Sequence, residues 1–447
     1  MRNYPSVLFS LIMFAAPVSA ADLMEIYLEA LKTNPQLAAA RANLEAVQEQ
    51  RPQAKAGLLP AIGAGAGLSR SRYDNLNSDD KPKPTYSTDK VASIDLTQPL
   101  FRYDRWVQLK QADSQIAAAE ADYLAASQDL MVQVADRYFQ VLEAQDNLIF
   151  AKSEKSAIGR QLDQAKQRFE VGLIAITDVK AAQARYDLSV SQEIQAISGL
   201  VAAKDALRET VGVYYDNVYA LKPDLQLSDP VPDSSADWIE RAKQHNLSIL
   251  SAQANTETAQ QEIKRQRSGH LPTLDLNASV GYSDQNFAGI TPVERQNSEI
   301  GLELNIPIYE GGAVSSRTRE ARSRFQEATE LLSQAVRAAE LETRDAFRGV
   351  KTDIAQVNAL ARSLESTEVA VQAEEAGFEV GTRTIVDVLN SQREYYLARF
   401  NYARARYLYV VDQLRLKRAA GILQEDDLAE VNEALIPASA LPVDLPE

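Results

Sequence analysis

Cysteine is absent from the 447 residues, and histidine occurs only at His245 and His270. The first absence excludes a disulfide scaffold and removes the residue that a lipoprotein would acylate. With two histidines on separate segments and no thiol, no metal site, Ser-His-Asp site or cofactor constellation is expected, and no catalytic residue is assigned. Positive charge is in deficit: the formal net charge is −15 and the pI about 4.9, which argues against nucleic acid as a partner. Long apolar runs are missing after residue 20, so no transmembrane helix is expected. Barrel strands stay open as a possibility, being short and only half apolar. Proline is missing from residues 103–169 and 314–379, which permits two unusually long helices.

The chain opens MRNYPSVLFSLIMFAAPVSAADL. Arg2 precedes an apolar run over 7–16, and Val18-Ser19-Ala20 has the small residues of a cleavage site. Residues 1–20 therefore read as a removed secretory signal, with the mature chain starting near Ala21.

Two stretches 209 residues apart are near copies. FEVGLIAITDVKAAQARY (169–186) and FEVGTRTIVDVLNSQREY (378–395) are identical at nine of eighteen positions. Three further pairs keep almost the same offset. KTNPQLAAARA and KQHNLSILSAQA align Asn34 with Asn246, LLPAIGAGAG and HLPTLDLNAS align Pro60 with Pro272, and LTQPLF and LNIPIY align Pro99 with Pro307. A tandem duplication is the expected organisation: signal 1–20, first repeat 21–232, second repeat 233–420, and a tail 421–447.

Each repeat passes through the same periodicities. A helical segment is expected at about 22–57 and again at about 237–268. The period then changes to two. Leu274, Leu276, Ala278, Val280 and Tyr282 alternate with Asp275, Asn277, Ser279 and Gly281; Ile300, Leu302, Leu304, Ile306 and Ile308 alternate with Gly301, Glu303, Asn305 and Pro307. The first repeat shows the pattern at Ile62, Ala64, Ala66 and Leu68, then at Ala92, Ile94, Leu96 and Leu100. Strand pairs are expected within about 60–101 and 272–309, joined by the polar loops DNLNSDDKPKPTYSTDK and SDQNFAGITPVERQN. GAGAG (Gly63, Gly65, Gly67) lacks dinucleotide-fingerprint spacing and reads as strand backbone.

After each strand pair the period returns to helix. Ile116, Ala119, Tyr123, Ala126, Leu130, Val134, Tyr138 and Val141 recur at three- and four-residue steps. About 67 residues of helix would extend about 100 Å, which points to coiled-coil-like packing. Long helices are expected over about 103–210 and 314–418. The near-copies supply the turns between them: EVG ends one helix and TDV or VDV starts the next, with Thr177 and Thr384 as N-caps. Residues 211–232 and the tail read as irregular. The tyrosines of YYLARFNYARARYLY (395–409) read as core seams.

Four strands cannot close a barrel, and an open sheet edge in lipid leaves backbone groups unsatisfied. Two chains would pool eight strands and three would pool twelve. A polar set of Asp95, Asp275, Asn277, Glu303 and Asn305 suits a wet lumen, which an eight-stranded barrel does not have. At least a trimer is favoured.

The segments NPQL, GHLPTLDLNAS, PIYEGG, RQLDQAKQRFEVGLIAITDV with ARYD, and VGTRTIVDVL occur in the order of a known family. The chain resembles the TolC family of outer-membrane channel-tunnels over essentially its whole mature length. That resemblance implies a mainly α fold with a membrane β-barrel: four strands per chain, a homotrimer closing one twelve-stranded barrel, and a coiled-coil tunnel in the periplasm. It implies a gate at the tunnel tip, with Asp178 linked to Arg383 beside Thr177, and Gln161 linked to Glu375. The family pattern has a tyrosine at position 378; here Phe378 lacks the hydroxyl, which removes one gate bond. A pore constriction carries Asp387, but Asn390 stands where the family has a second carboxylate, so weaker cation selectivity is expected. The turns Val171-Gly172-Leu173 and Val380-Gly381-Thr382 are the expected contacts for an adaptor. Without the resemblance, Asp178 and Arg383 would read as surface charges and Asp387 as a charge favoured by the helix dipole.

The expected function is a passive exit duct in the outer membrane for tripartite efflux, and for type I protein secretion. Its partners would be a periplasmic adaptor (membrane fusion) protein, an inner-membrane transporter of the RND or ABC class, and outer-membrane lipid. The competing reading is a structural or adhesive coiled-coil protein of the envelope.

Overall fold

The structure, a computed structural model, describes residues 21–74, 84–287 and 292–437. The expected signal, 1–20, lies outside the described residues, as do 75–83, 288–291 and 438–447. In chain order the elements are α1 (Leu23–Thr33), α2 (Pro35–Gln48), α3 (Gln50–Ala56), β1 (Ala61–Tyr73), β2 (Thr85–Phe101), α4 (Tyr103–Glu170), α5 (Ile176–Val211), β3 (Ala220–Leu221), α6 (Ser235–His245), α7 (Leu247–Arg267), β4 (Thr273–Phe287), β5 (Val293–Asn305), α8 (Ala313–Glu379), α9 (Ile385–Ala419), α10 (Glu425–Glu433) and β6 (Leu435–Ile436). No helix among the described residues is long and apolar enough to cross a membrane. The chain divides into two compact units, one built from 39–125 and 247–338, the other from the remaining segments.

The first unit holds a four-stranded antiparallel sheet in the order β1-β2-β4-β5. Its register explains its chemistry. Ile62 lies opposite Leu96, Leu96 opposite Ala278, and Ala278 opposite Ile300, so the apolar residues of all four strands share one face. The adjacent row, Gly63, Asp95, Ser279 and Glu299, belongs to the other face. Large apolar side chains on the first face are open: Ile62 is 71% exposed, Leu68 74% and Ile300 75%. The GAGAG alternation now has a reason, because Ala64 and Ala66 sit opposite Ile94 and Ala92 while the three glycines line the polar face.

The strands outrun the expected loops. Residues 85–90, 283–287 and 293–297 continue the ladders in register, since a polar, Thr- and Tyr-containing stretch can extend a pair once neighbours fix it. At 13 to 17 residues the strands exceed the 9–11 that hydrocarbon requires. At the other end β5 stops at Asn305, so Ile306 and Ile308 lie past the strand next to Pro307, which has no N–H to give. Asp275, expected in a wet lumen, is instead buried and held by a two-pronged fork from Arg102 at 3.1 and 2.7 Å. Below the sheet, Glu262 of α7 accepts from Arg265 at 2.7 Å and from Gln111 of α4 at 3.2 Å.

The second unit carries the landmark asparagines. The helical segments expected at 22–57 and 237–268 are broken at Asn34 and Asn246. Asn34 Nδ2 donates to the Thr210 carbonyl at 2.9 Å, and its Oδ1 accepts from the Gln36 and Leu37 N–H groups at 3.0 Å. Asn246 Nδ2 donates to the Ala419 carbonyl at 2.9 Å. Each asparagine thus restarts a helix and serves an orphan carbonyl at the end of a long one. The linker and tail, expected to be irregular, meet as a two-stranded sheet of β3 and β6, a pairing between distant residues that local patterns do not encode. Tyr407 and Tyr409 are buried; Tyr407 stacks on Phe139 with centroids 5.7 Å apart.

Candidate functional site

The two near-copies form two helix-to-helix turns in the second unit. Both long helices end alike. The Leu173 N–H donates to the Arg168 carbonyl and the Thr382 N–H to the Gly377 carbonyl, each at 2.9 Å. Gly172 and Gly381 take φ of +78°, the left-handed conformation that closes such a helix end. Open space surrounds both glycines, so the backbone angle, not close approach, demands glycine there. Val171, Leu173 and Val380 are 70%, 73% and 76% exposed, and Thr382 is exposed too. The six residues expected to meet an adaptor therefore form an open surface.

The helix starts differ. Thr384 is the N-cap of α9 in a full capping box. Asp387 Oδ2 accepts from the Thr384 N–H at 2.9 Å and from its hydroxyl at 2.7 Å. These hydrogen bonds, with Arg383 nearby, hold the Asp387 carboxyl below its ordinary pKa. The N-cap of α5 is Ala175, not Thr177, and it makes no side-chain cap. Thr177 lies inside the helix because the turn closes two residues earlier than TDV suggests. One turn is thus locked at its exit and the other is not.

Beneath the turns, Ile158, Leu162 and Ala165 of α4, Ala182 of α5, Phe378 of α8 and Ile385, Val388 and Leu389 of α9 pack as one apolar cluster. Phe378, only 6% exposed, is part of this core. The Arg168 guanidinium covers its ring at 4.3 Å from the centroid and donates to its carbonyl at 3.4 Å.

The expected gate pairs are not made within the chain. Arg383 lies 3.3 Å from Glu374, at ion-pair distance but without hydrogen-bond geometry, since that Glu374 oxygen has no hydrogen-bond partner. Asp178 sits in the first turn of α5, its N–H on the Ala175 carbonyl. Glu375 accepts from Gln392 at 2.7 Å, and Gln161 Oε1 is buried without a partner. Asn390 Oδ1 accepts from Arg185 of α5 at 2.9 Å. Arg168, Arg185, Glu374 and Gln392 escaped the sequence reading. One signal was available: with an offset of 209, Arg168 aligns with Gly377 and Arg185 with Glu394, so the copies differ where the contacts form.

Comparison with known proteins follows this geometry. A family model described as outer membrane efflux protein matches residues 26–213 and 238–422. The outer membrane protein TolC of Vibrio cholerae serotype O1 is 38% identical over 424 residues, covering 94% of this chain and 95% of that protein. The proteases secretion protein PrtF of Dickeya chrysanthemi is 29% identical, covering 92% and 90%. Among solved structures, the Campylobacter jejuni CmeC outer membrane channel superposes with a TM-score of 0.79 at 18% identity, covering 97% of each chain.

Proposed function

The chain belongs to the outer membrane efflux protein family, and from that premise we propose that three copies form a gated exit duct from the periplasm across the outer membrane. The sheet carries the reading. Among the described residues its β1 and β5 edges have no partner strand, one face is apolar and open, and the other is polar. A 13-residue edge leaves about six N–H and six C=O groups unpaired, each costing several kcal/mol in hydrocarbon. Because the four strands alternate in direction, β5 of one copy runs antiparallel to β1 of the next, and a ring closes head to tail. With strands about 4.8 Å apart and tilted about 40°, eight strands give a backbone radius of about 8 Å and twelve about 12 Å. Side chains fill the smaller and leave water in the larger.

The duplication of 21–232 and 233–420 supplies the paired coiled coils, whose turns form the periplasmic tip. Val171, Gly172, Leu173, Val380, Gly381 and Thr382 meet the adaptor, and an inner-membrane pump provides the energy. Similarity to TolC and to a protease secretion protein supports both efflux and type I secretion as routes. In the closed tip, Asp178 and Arg383 pair between copies, with Thr177, Gln161, Glu375 and Phe378 around them, and Asp387 and Asn390 line the constriction. Asp178→Ala combined with Arg383→Ala is expected to raise conductance in planar bilayers severalfold. Unchanged conductance removes the gate assignment, and native mass spectrometry in detergent showing any count but three removes the trimer.

A further inference from the structure

Two polar ties join the α4–α5 hairpin to the α8–α9 hairpin at the tip, and both run in one direction. Arg168 of α4 covers the Phe378 ring at 4.3 Å and donates to its carbonyl at 3.4 Å. Arg185 of α5 donates to Asn390 of α9 at 2.9 Å. The first hairpin supplies both guanidinium groups; the second supplies a ring, a carbonyl and an amide oxygen. The second copy cannot return the arrangement, because Gly377 and Glu394 stand at its equivalents of Arg168 and Arg185.

We propose that Arg168 and Arg185 are the latch that holds the α8–α9 hairpin against the α4–α5 hairpin in the closed tip, an inference that rests on the gate reading above. The chemistry suits the residues present. A planar guanidinium can stack on an aromatic face while its in-plane N–H groups donate elsewhere. Phe378 has no hydroxyl but offers a ring already fixed in the apolar cluster, so the face that Arg168 covers is pre-positioned. Asn390 offers a neutral acceptor, so Arg185 binds it without the charge pairing that a carboxylate would add. Both contacts can break without disturbing the backbone of either turn, whose helix-end hydrogen bonds are local. The unlatched hairpin is then the one carrying Arg383 and Asp387. Arg168 and Arg185 are positioning residues: they fix where the second hairpin sits.

Single-channel conductance in planar bilayers tests the latch. Arg168→Ala and Arg185→Ala are each expected to shift the closed-to-open ratio about fivefold toward open, and Phe378→Leu, which keeps apolar volume but loses the ring, should act like Arg168→Ala. Arg168→Lys recovers only part of the closed state, because an ammonium lacks the stacking plane. Arg160→Ala removes an exposed cation of α4 that hydrogen-bonds Ser156 of its own helix, and should leave conductance unchanged. Each variant is first checked as a detergent-stable ring by size exclusion; one that fails to assemble is replaced by its glutamine counterpart. If both arginine variants conduct like the parent while Asp178→Ala with Arg383→Ala opens the pore, the latch is overturned and the gate stands. If neither set changes conductance, the gate reading falls and the latch with it.

Discussion

Asp353 gives the protein a pH dependence that one substitution should erase. This aspartate of α8 is buried, one of its carboxylate oxygens has no hydrogen-bond partner, and it faces Asp412 of α9. Burial first, then the Asp412 carboxylate, push its pKa up to about 7, with Arg415 opposing them. Arg415 is already engaged, 2.8 Å from Asp412 and 2.9 Å from Asp136. An unfolded aspartate titrates near 4. Between about pH 4 and 7 the folded chain therefore holds a proton that the unfolded chain has released, so stability is full below that window and falls as pH rises through it. One pKa unit is worth about 1.4 kcal/mol, which sets a ceiling of about 4 kcal/mol per chain. Solvent screening at this partly buried pair brings the expected loss to about 2–3 kcal/mol. Asp353→Asn keeps the shape and can donate to Asp412. It should match the parent at pH 5 and exceed it at pH 8, melting a few degrees higher by circular dichroism in detergent. Parallel melting curves for parent and variant from pH 5 to 8 would refute the reasoning.

Two other substitutions probe the frame. Asn34→Ala removes the donor to the Thr210 carbonyl and the acceptor for two N–H groups, and should cost about 2–4 kcal/mol, read as a lower melting temperature with unchanged conductance. Leu302→Arg places a cation in the middle of the apolar face, where Leu302 is 66% exposed. It should cost about 2–4 kcal/mol per chain at the bilayer midplane and deplete the protein from outer-membrane fractions, whereas a soluble-cap role for the sheet predicts no change.

The long helices and the two-faced strands were legible because both are periodic, and periodicity is local. Residues 103–169 and 314–379 became α4 and α8 within a residue or so at each end, and Gly172 and Gly381 ended them through a backbone angle that glycine alone adopts easily. What lay beyond reach was set by distant partners. The breaks at Asn34 and Asn246 depend on carbonyls about 175 residues away, and β3 finds β6 across more than 200 residues. At the tip, Asp387 could be placed as a charge at a helix start, which its capping box bears out. Phe378 was read for the hydroxyl it lacks, when its ring is what Arg168 covers. Thr177 and Thr384 both suit an N-cap by residue type, yet the 209-residue offset sets Ala175, not Thr177, opposite Thr384, and only Thr384 stands at the residue where a helix begins.

The sheet with two bare margins has a consequence for biogenesis. In the ring proposed above, each newly exported subunit presents two long templates for strand addition to any chain in the periplasm until its neighbours arrive. Productive assembly and misassociation then compete for the same surfaces, so faster synthesis does not simply yield more ducts. The ladder that would close the proposed ring and the ladder that would nucleate an aggregate are chemically the same, and only the correct twist and length of a sibling subunit tell them apart.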